Sequence, residues 1–544
     1  MKPERLPPFV LIAQAGALCY DGKSYSVDLP AGGRIMMKFV TDYLERAAEK
    51  NPEQVAVVDE QGQMTYGQLL AEAEAVGAAL SAAEMPMAPV MVWMDRVGGS
   101  IAASQGAVLS GRAYTTVDTA MPGRRLRYIM EALQPSAIIA GREFAGRAAE
   151  QSAKASLKRQ PRILIYEDIT AGAPAPEALA ALEQAKAKRD PLDDLALIFT
   201  SGSTGVPKGV VASHLTLTAF TDWQVEVLHL DENTVRGCQS PLYLAVGAYV
   251  DLYSTFAVGG TLHLLPPSAF MFPQTLMEVL SERGINTIFW VASLYRRVVE
   301  MEGLSVKNLP PLRTACFCGE PMPMSSLEEW RKAFPEVTFS NHYGCTEVIV
   351  ATWFEIVPGR ELAYDSMPIG RECTGKNTVS LLTEEGDEAA VGELGEVVVY
   401  GPIAKGYLND EERTKAAFGV DEATGRTFFR TGDLARRDED GMIFYVSRGD
   451  AQIKHMGYRI ELGEIETAAN AVEGVSASVC LYHKEKDALT LFYVAADELA
   501  EKELVRELTE NLPRYMWPAR FCRLAAMPQL EGGKIDRLAL QAQL

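Results

Sequence analysis

Residues 200–209 read Thr-Ser-Gly-Ser-Thr-Gly-Val-Pro-Lys-Gly, directly after the apolar run Leu195-Ala-Leu-Ile-Phe199. The length and bulk of that run predict a buried strand. The loop after it is made of glycine and small hydroxyl residues: Thr200, Ser201, Gly202, Ser203, Thr204 and Gly205. Such a loop lets backbone amides and hydroxyls approach a polyphosphate closely, with Lys208 as a point charge. It lacks the Gly-Lys-Ser/Thr ending of the nucleotide-binding P-loop. A flexible linker shares the composition and is the competing reading of the loop taken alone.

Outward from the loop, amphipathic stretches alternate with short strand-like runs. Phe39–Lys50, Tyr66–Ala82 and Arg124–Leu133 read as helices; Val55–Asp59, Val90–Met94 and Ala137–Ala140 read as strands. That alternation predicts an α/β body with substantially parallel sheets. Residues 170–190, rich in Ala, Lys, Glu and Pro, predict a solvated helical excursion. Gly441–Val446 reads as a strand, after which 451–544 form a smaller set of short strands and helices. The expected organisation is an N-terminal extension at 1–36, a large domain at 37–449 and a small domain at 450–544. In the extension, Phe9–Ala13 and Tyr25–Leu29 suggest a hairpin or arm packed on the main body.

A chain of 544 residues is too long for one core. Its 48% hydrophobic and 23% charged residues are ordinary for a globular enzyme. A net charge of −20 argues against nucleic acid or an anionic membrane as partner. Eight cysteines are sparse, and only Cys316 and Cys318 lie close together, without a second pair or a histidine cluster to complete a zinc site. Buried reduced thiols and a cytoplasmic location are expected. No apolar stretch reaches the ~20 residues of a membrane helix. Residues 9–20 after Lys2 and Arg5 weakly imitate a signal peptide, against which stand Glu4, Pro7-Pro8 and Gln14.

Further motifs follow the loop in order. They are Tyr343-Gly344-Cys345-Thr346-Glu347, Gly406-Tyr407-Leu408 and Arg430-Thr431-Gly432-Asp433. Then come Ser447-Arg448-Gly449-Asp450 continuing through Lys454 to Gly457-Tyr458-Arg459, and Gly533-Lys534-Ile535-Asp536-Arg537. With the loop they make six, and in this order the chain resembles the adenylate-forming enzymes from about Met37 to Arg537. It is most similar to the adenylation domains of nonribosomal peptide synthesis and the D-alanine–carrier protein ligases. The resemblance implies the acyl-adenylate ligase fold: a large α/β domain and a small mobile α+β domain hinged at Asp450. The alternative for Asp450 is a turn cap.

The resemblance also implies roles. A carboxylate attacks the α-phosphate of ATP, which needs a cation clamp and a metal. The loop with Lys208 would hold the β/γ-phosphates, Thr346 the α-phosphate, and Glu347 Mg²⁺; an ordinary surface glutamate is the alternative. Asp433 would bind the ribose hydroxyls, with Arg448 nearby. Tyr343, Gly344, Tyr445 and the turn Gly319-Glu320-Pro321 would border the adenosine. Lys534, on a glycine-flanked loop, would reach both carboxylate and α-phosphate. In a second step the acyl group passes to a phosphopantetheine thiol through a tunnel at Gly457. There Lys454 and Arg459 either help or are surface cations.

Aligned through Asp251-Leu252-Tyr253, the acyl pocket is Val246, Gly247, Val250, Phe289, Cys316, Cys318, His342, Val350 and Ala351. Val246 stands where the α-amino-acid enzymes carry an ammonium-binding aspartate. An ammonium without a counter-charge is costly to bury. The substrate is therefore expected to lack it: an aryl, keto, hydroxy or short acyl acid. His342 either bonds a substituent or is satisfied by backbone. The expected protein is a freestanding ligase that loads a separate carrier protein, since no carrier-protein serine motif or condensation-domain histidine pair occurs. An α-amino-acid enzyme, an acyl- or aryl-CoA ligase and a non-catalytic nucleotide binder are the alternatives.

Overall fold

A computed structural model describes residues 37–82, 85–201, 207–364, 366–448, 452–484, 486–496, 499–529 and 535–544. It also describes the backbone of a two-stranded antiparallel hairpin, Ala17–Tyr20 with Lys23–Ser26. That hairpin lies in the segment read as an arm, while Phe9–Ala13 falls outside the described residues.

Two large mixed sheets dominate. In the first, of seven strands, the order is Gly406–Tyr407, Lys208–Ser213, Asp194–Thr200, Tyr114–Thr116, Val90–Trp93, Ala137–Ala140, Arg162–Ile165. Its last five strands run parallel, and Lys208–Ser213 turns back antiparallel on Asp194–Thr200. The second, of nine strands, has six parallel strands at its centre: Thr338–Tyr343, Thr314–Cys318, Thr287–Val291, Val235–Cys238, Thr261–Leu264 and Val55–Val58. Such strands are covered on both faces, which is why they read as continuous apolar runs. Residues from both sheets, among them Val92, Ile198, Leu262 and Phe289, share one core with helices Tyr66–Ala82 and Gly98–Leu109.

A third sheet, built on the long strand Thr427–Arg437, carries Ile443–Arg448 along its edge. After it come the hairpin Gln452–His455/Tyr458–Glu461 and a three-stranded sheet of Val475–His483, Ala488–Ala495 and Arg520–Arg523. The helix in 170–190 is Pro176–Lys186. It is not wholly solvated, because Leu182 is buried in the main core.

Candidate active site

Strand Thr338–Tyr343 ends in a tight reversal: Ala351 N–H donates to Tyr343 O and Ile349 N–H to Cys345 O, both at 2.7 Å. Ile349 takes φ +64°, a strained value for a β-branched residue. The buried Lys376 Nζ donates to the carbonyls on either side of it, Val348 at 3.2 Å and Val350 at 2.6 Å. This turn carries Glu347, whose exposure is 0%, which rules out a surface glutamate. Arg459 Nη1 donates to its two oxygens at 3.0 and 2.9 Å. Lys208 Nζ lies 3.2 Å from Oε1, and Tyr407 O–H donates to Oε1 at 2.8 Å. Burial alone would raise the Glu347 pKa, but the charges of Arg459 and Lys208 hold it well below the carboxylate range.

The loop that opens the sequence argument is rooted here. Thr200 pairs in register with Lys208 across the antiparallel strands. Thr200 Oγ1 is buried without a hydrogen-bond partner, and Ser201 Oγ donates to the Arg459 carbonyl. An unpaired hydroxyl at the root of a glycine loop, beside a buried lysine, fits a phosphate group. Gly202, Ser203, Thr204 and Gly205 themselves, with Asp450 and Lys534, lie outside the described residues.

Asp433 accepts from Tyr343 O–H at 2.6 Å and from Arg448 Nη1 at 2.8 Å. The Tyr445 ring lies 6.5 Å from that of Tyr343. Lys454 Nζ donates to Gly344 O at 3.2 Å. The Gly457 N–H donates to Glu320 Oε1 at 2.9 Å, while Oε2 of the same carboxylate accepts from Ser293 N–H at 3.0 Å. Gly457 has φ +80°, and a Cβ there would stand 2.5 Å from Val291 Cγ1. Gly319 (φ +84°), Pro321 and the half-buried Thr346 flank these contacts. The nucleotide-site candidates among the described residues thus gather around Tyr343–Glu347. Lys454 and Arg459 are half-buried and bond the turn Tyr343–Glu347.

The candidate acyl pocket is a sheet face. Strand register sets Phe289, Cys316 and Ser340 side by side, and likewise Cys318, His342 and Trp353. Val246 opens a π-helical segment, Val246–Asp251, and packs with Val250 and Val350 in the same core. Two candidates sit differently. Ala351 belongs to the neighbouring core with Tyr343 and Ile369, and a Cβ on Gly247 would meet Pro241 O at 2.4 Å. Gly247 therefore permits close backbone approach and adds no wall. His342 Nε2 lies 2.9 Å from Ser340 Oγ, and the ring is not satisfied by backbone: Nδ1 has no partner. Burial, reinforced by Arg236, lowers the His342 pKa to about 3.

Sequence reasoning assigned no role to Tyr407, Arg236, Ser340, Trp223 or Lys376. Asp251 is fully buried against Arg236 at 3.1 Å, a pair that two polar residues in apolar runs could have signalled. Lys376, in Gly-Lys-Asn, carried no local signal.

This arrangement is that of a nucleotide-handling α/β ligase. Residues 44–408 match the AMP-binding enzyme family, and the chain belongs to it. It is an AMP-forming ligase, and its nucleotide is ATP. It is 31% identical over 523 residues to the D-alanine–D-alanyl carrier protein ligase of Lactiplantibacillus plantarum, covering 92% of this chain and 98% of the relative. It is 30% identical over 516 residues to the same-named ligase of Bacillus cytotoxicus, covering 92% and 99%. The solved Vibrio cholerae adenylation domain AlmE, in complex with glycyl-adenosine-5'-phosphate, shares the fold: TM-score 0.79 at 21% identity, covering 94% of this chain and 99% of that one.

Proposed function

We propose that the protein activates a carboxylic acid lacking an α-ammonium as its acyl-adenylate and passes the acyl group to the phosphopantetheine thiol of a separate carrier protein. One observation carries the choice of acid. Val246 occupies the position expected to hold the ammonium's counter-charge, and the neighbouring acid, Asp251, is engaged by Arg236. The names of the relatives support carrier loading. They also favour a second reading, an α-amino acid such as D-alanine.

In the first step the acid's carboxylate oxygen bonds to the α-phosphorus of ATP and pyrophosphate leaves. Lys208 and the 200–205 loop hold the β/γ-phosphates, Thr346 the α-phosphate, and Asp433 the ribose. Lys534 bridges carboxylate and α-phosphate, stabilising charge that builds in the transition state. Glu347 would hold Mg²⁺ once freed of Arg459, and the ion would supply charge neutralisation at the phosphates. In the second step the thiol attacks the acyl carbonyl and AMP leaves. Residues 450–544 form the small domain, hinged at Asp450, and Gly457 with Lys454 borders the thiol's path. Dependence on ATP favours a cytoplasmic location for the reaction.

The test is acid-dependent pyrophosphate release across amino, aryl, keto, hydroxy and short acyl acids, followed by transfer to a phosphopantetheinylated carrier or to CoA. Turnover confined to acids without an α-ammonium supports the reading, and D-alanine as the best substrate overturns it. Val246→Asp is expected to open the pocket to α-amino acids.

A further inference from the structure

We propose that the acyl pocket selects an acid bearing a neutral hydrogen-bond donor, such as a hydroxyl, received by His342 Nδ1. The proposal rests on the reading of this sheet face as the acyl site.

The direction of the hydrogen bonds carries it. The Ser340 hydroxyl donates to Cys316 Sγ at 3.2 Å. With the hydroxyl so committed, we assign its oxygen as the acceptor for His342 Nε2–H at 2.9 Å, the tautomer in which Nδ1 is a bare lone pair. His342 is 1% exposed and Ser340 and Cys316 are 0% exposed, so bulk water does not serve that nitrogen. Around the ring stand Phe289 at 4.9 Å, Trp223 at 6.0 Å and Trp353 at 6.3 Å between centroids. None of them bonds Nδ1. The site is neutral on its own account, because burial, with Arg236 adding to it, keeps the imidazole unprotonated.

A buried acceptor without a partner is uncommon, and an occupant that supplies one removes the penalty. The neighbouring ring narrows the choice. Trp223 Nε1–H is also buried with no partner. An unpaired donor and an unpaired acceptor on adjacent side chains match a hydroxyl, which both donates and accepts. A methyl ether can only accept, and a hydrocarbon does neither. An ammonium would donate, but Asp251, the acid nearest in sequence to the pocket segment, is engaged by Arg236.

The experiment uses matched trios: butanoate with its 3-hydroxy and 3-methoxy derivatives, and benzoate with its hydroxy and methoxy derivatives. Pyrophosphate release and calorimetric binding are measured on the full chain, on His342→Phe and on Ser340→Ala. In the trio that is turned over, the hydroxy acid is expected to exceed parent and ether by about tenfold or more in kcat/KM. In His342→Phe that preference shrinks to within about threefold. Ser340→Ala frees the ring to change tautomer and reduces the preference severalfold, and it serves if His342→Phe does not fold. A parent or ether handled as well as the hydroxy acid overturns the proposal. So does a preference that survives both variants, or failure of every trio to bind. Turnover of α-amino acids alone instead refutes the underlying reading of the acyl site.

Discussion

Arg459 reaches both carboxylate oxygens of Glu347, at 3.0 and 2.9 Å, from a strand 112 residues further along the chain. The pair ties the hairpin Gln452–His455/Tyr458–Glu461 to the turn where Mg²⁺ is proposed to bind. Truncation in Arg459→Ala removes this tie and leaves Lys208 beside Glu347. A lost charge-assisted pair is expected to slow thioester formation by about tenfold or more. Acid-dependent pyrophosphate release should fall less. Equal losses in the two half-reactions would count against a role specific to this arrangement.

Lys376 is buried, and no carboxylate lies within salt-bridge distance of it among the described residues. It holds the carbonyls around the strained Ile349, and burial lowers its pKa to about 8. Replacing the cation with an apolar chain of similar length removes its desolvation cost and takes a donor from the Val348 carbonyl, while Val350 O keeps Asn377 Nδ2. Lys376→Met is therefore expected to change unfolding free energy by less than about 2 kcal/mol. Relaxation of the turn should nevertheless cut adenylate formation by about tenfold, since small misplacements at a reacting site are expensive. Thermal melts run alongside pyrophosphate release separate the two effects.

Three histidines are buried in neutral form. Burial first, then a nearby arginine, lowers His214 to about 3, His263 to about 4 and His342 to about 3. The unfolded chain binds these protons near 6.5, so between about 6.5 and 3 the unfolded state holds more of them. Their stabilising contribution is full above about 6.5 and is lost progressively as pH falls. Melting temperature should drop on acidification through this window. His263→Leu should flatten the dependence by about one proton, and an unchanged slope would show that His263 is not neutral in the fold.

Gly457 combines φ +80° with a 2.5 Å approach to Val291 for any added Cβ. Gly457→Ala is expected to weaken the hairpin's seat against strand Thr287–Val291 by about 1–2 kcal/mol. The loss should register in thiol transfer, with the melting temperature of the large core unmoved. Differential scanning calorimetry and the transfer assay together decide this.

Much of the scaffold is local and was legible in the chain. Tyr66–Ala82 and Ala137–Ala140 begin and end where residue periodicity predicts. Period and turn chemistry act over a few residues, so the chain itself states them. The ordered motifs were equally visible, because phosphate and ribose sites are built on loops of fixed residue type.

The pairing of those motifs was not written locally. That Glu347 is buried between Lys208, Tyr407 and Arg459 follows from three separate strands meeting at one turn. The orphan nitrogen of His342 follows from strand register, which sets Ser340 beside Cys316 and His342 beside Trp353. Lys376, in the polar stretch Thr374–Thr378, carries no local signal, while Arg236 and Asp251, polar residues among apolar ones, state a need for a partner without naming it. The sequence by itself determined much of the scaffold and the order of the motifs. Only the tertiary structure decided which charges neutralise one another, because in a dry interior that depends on distance through space and not along the chain.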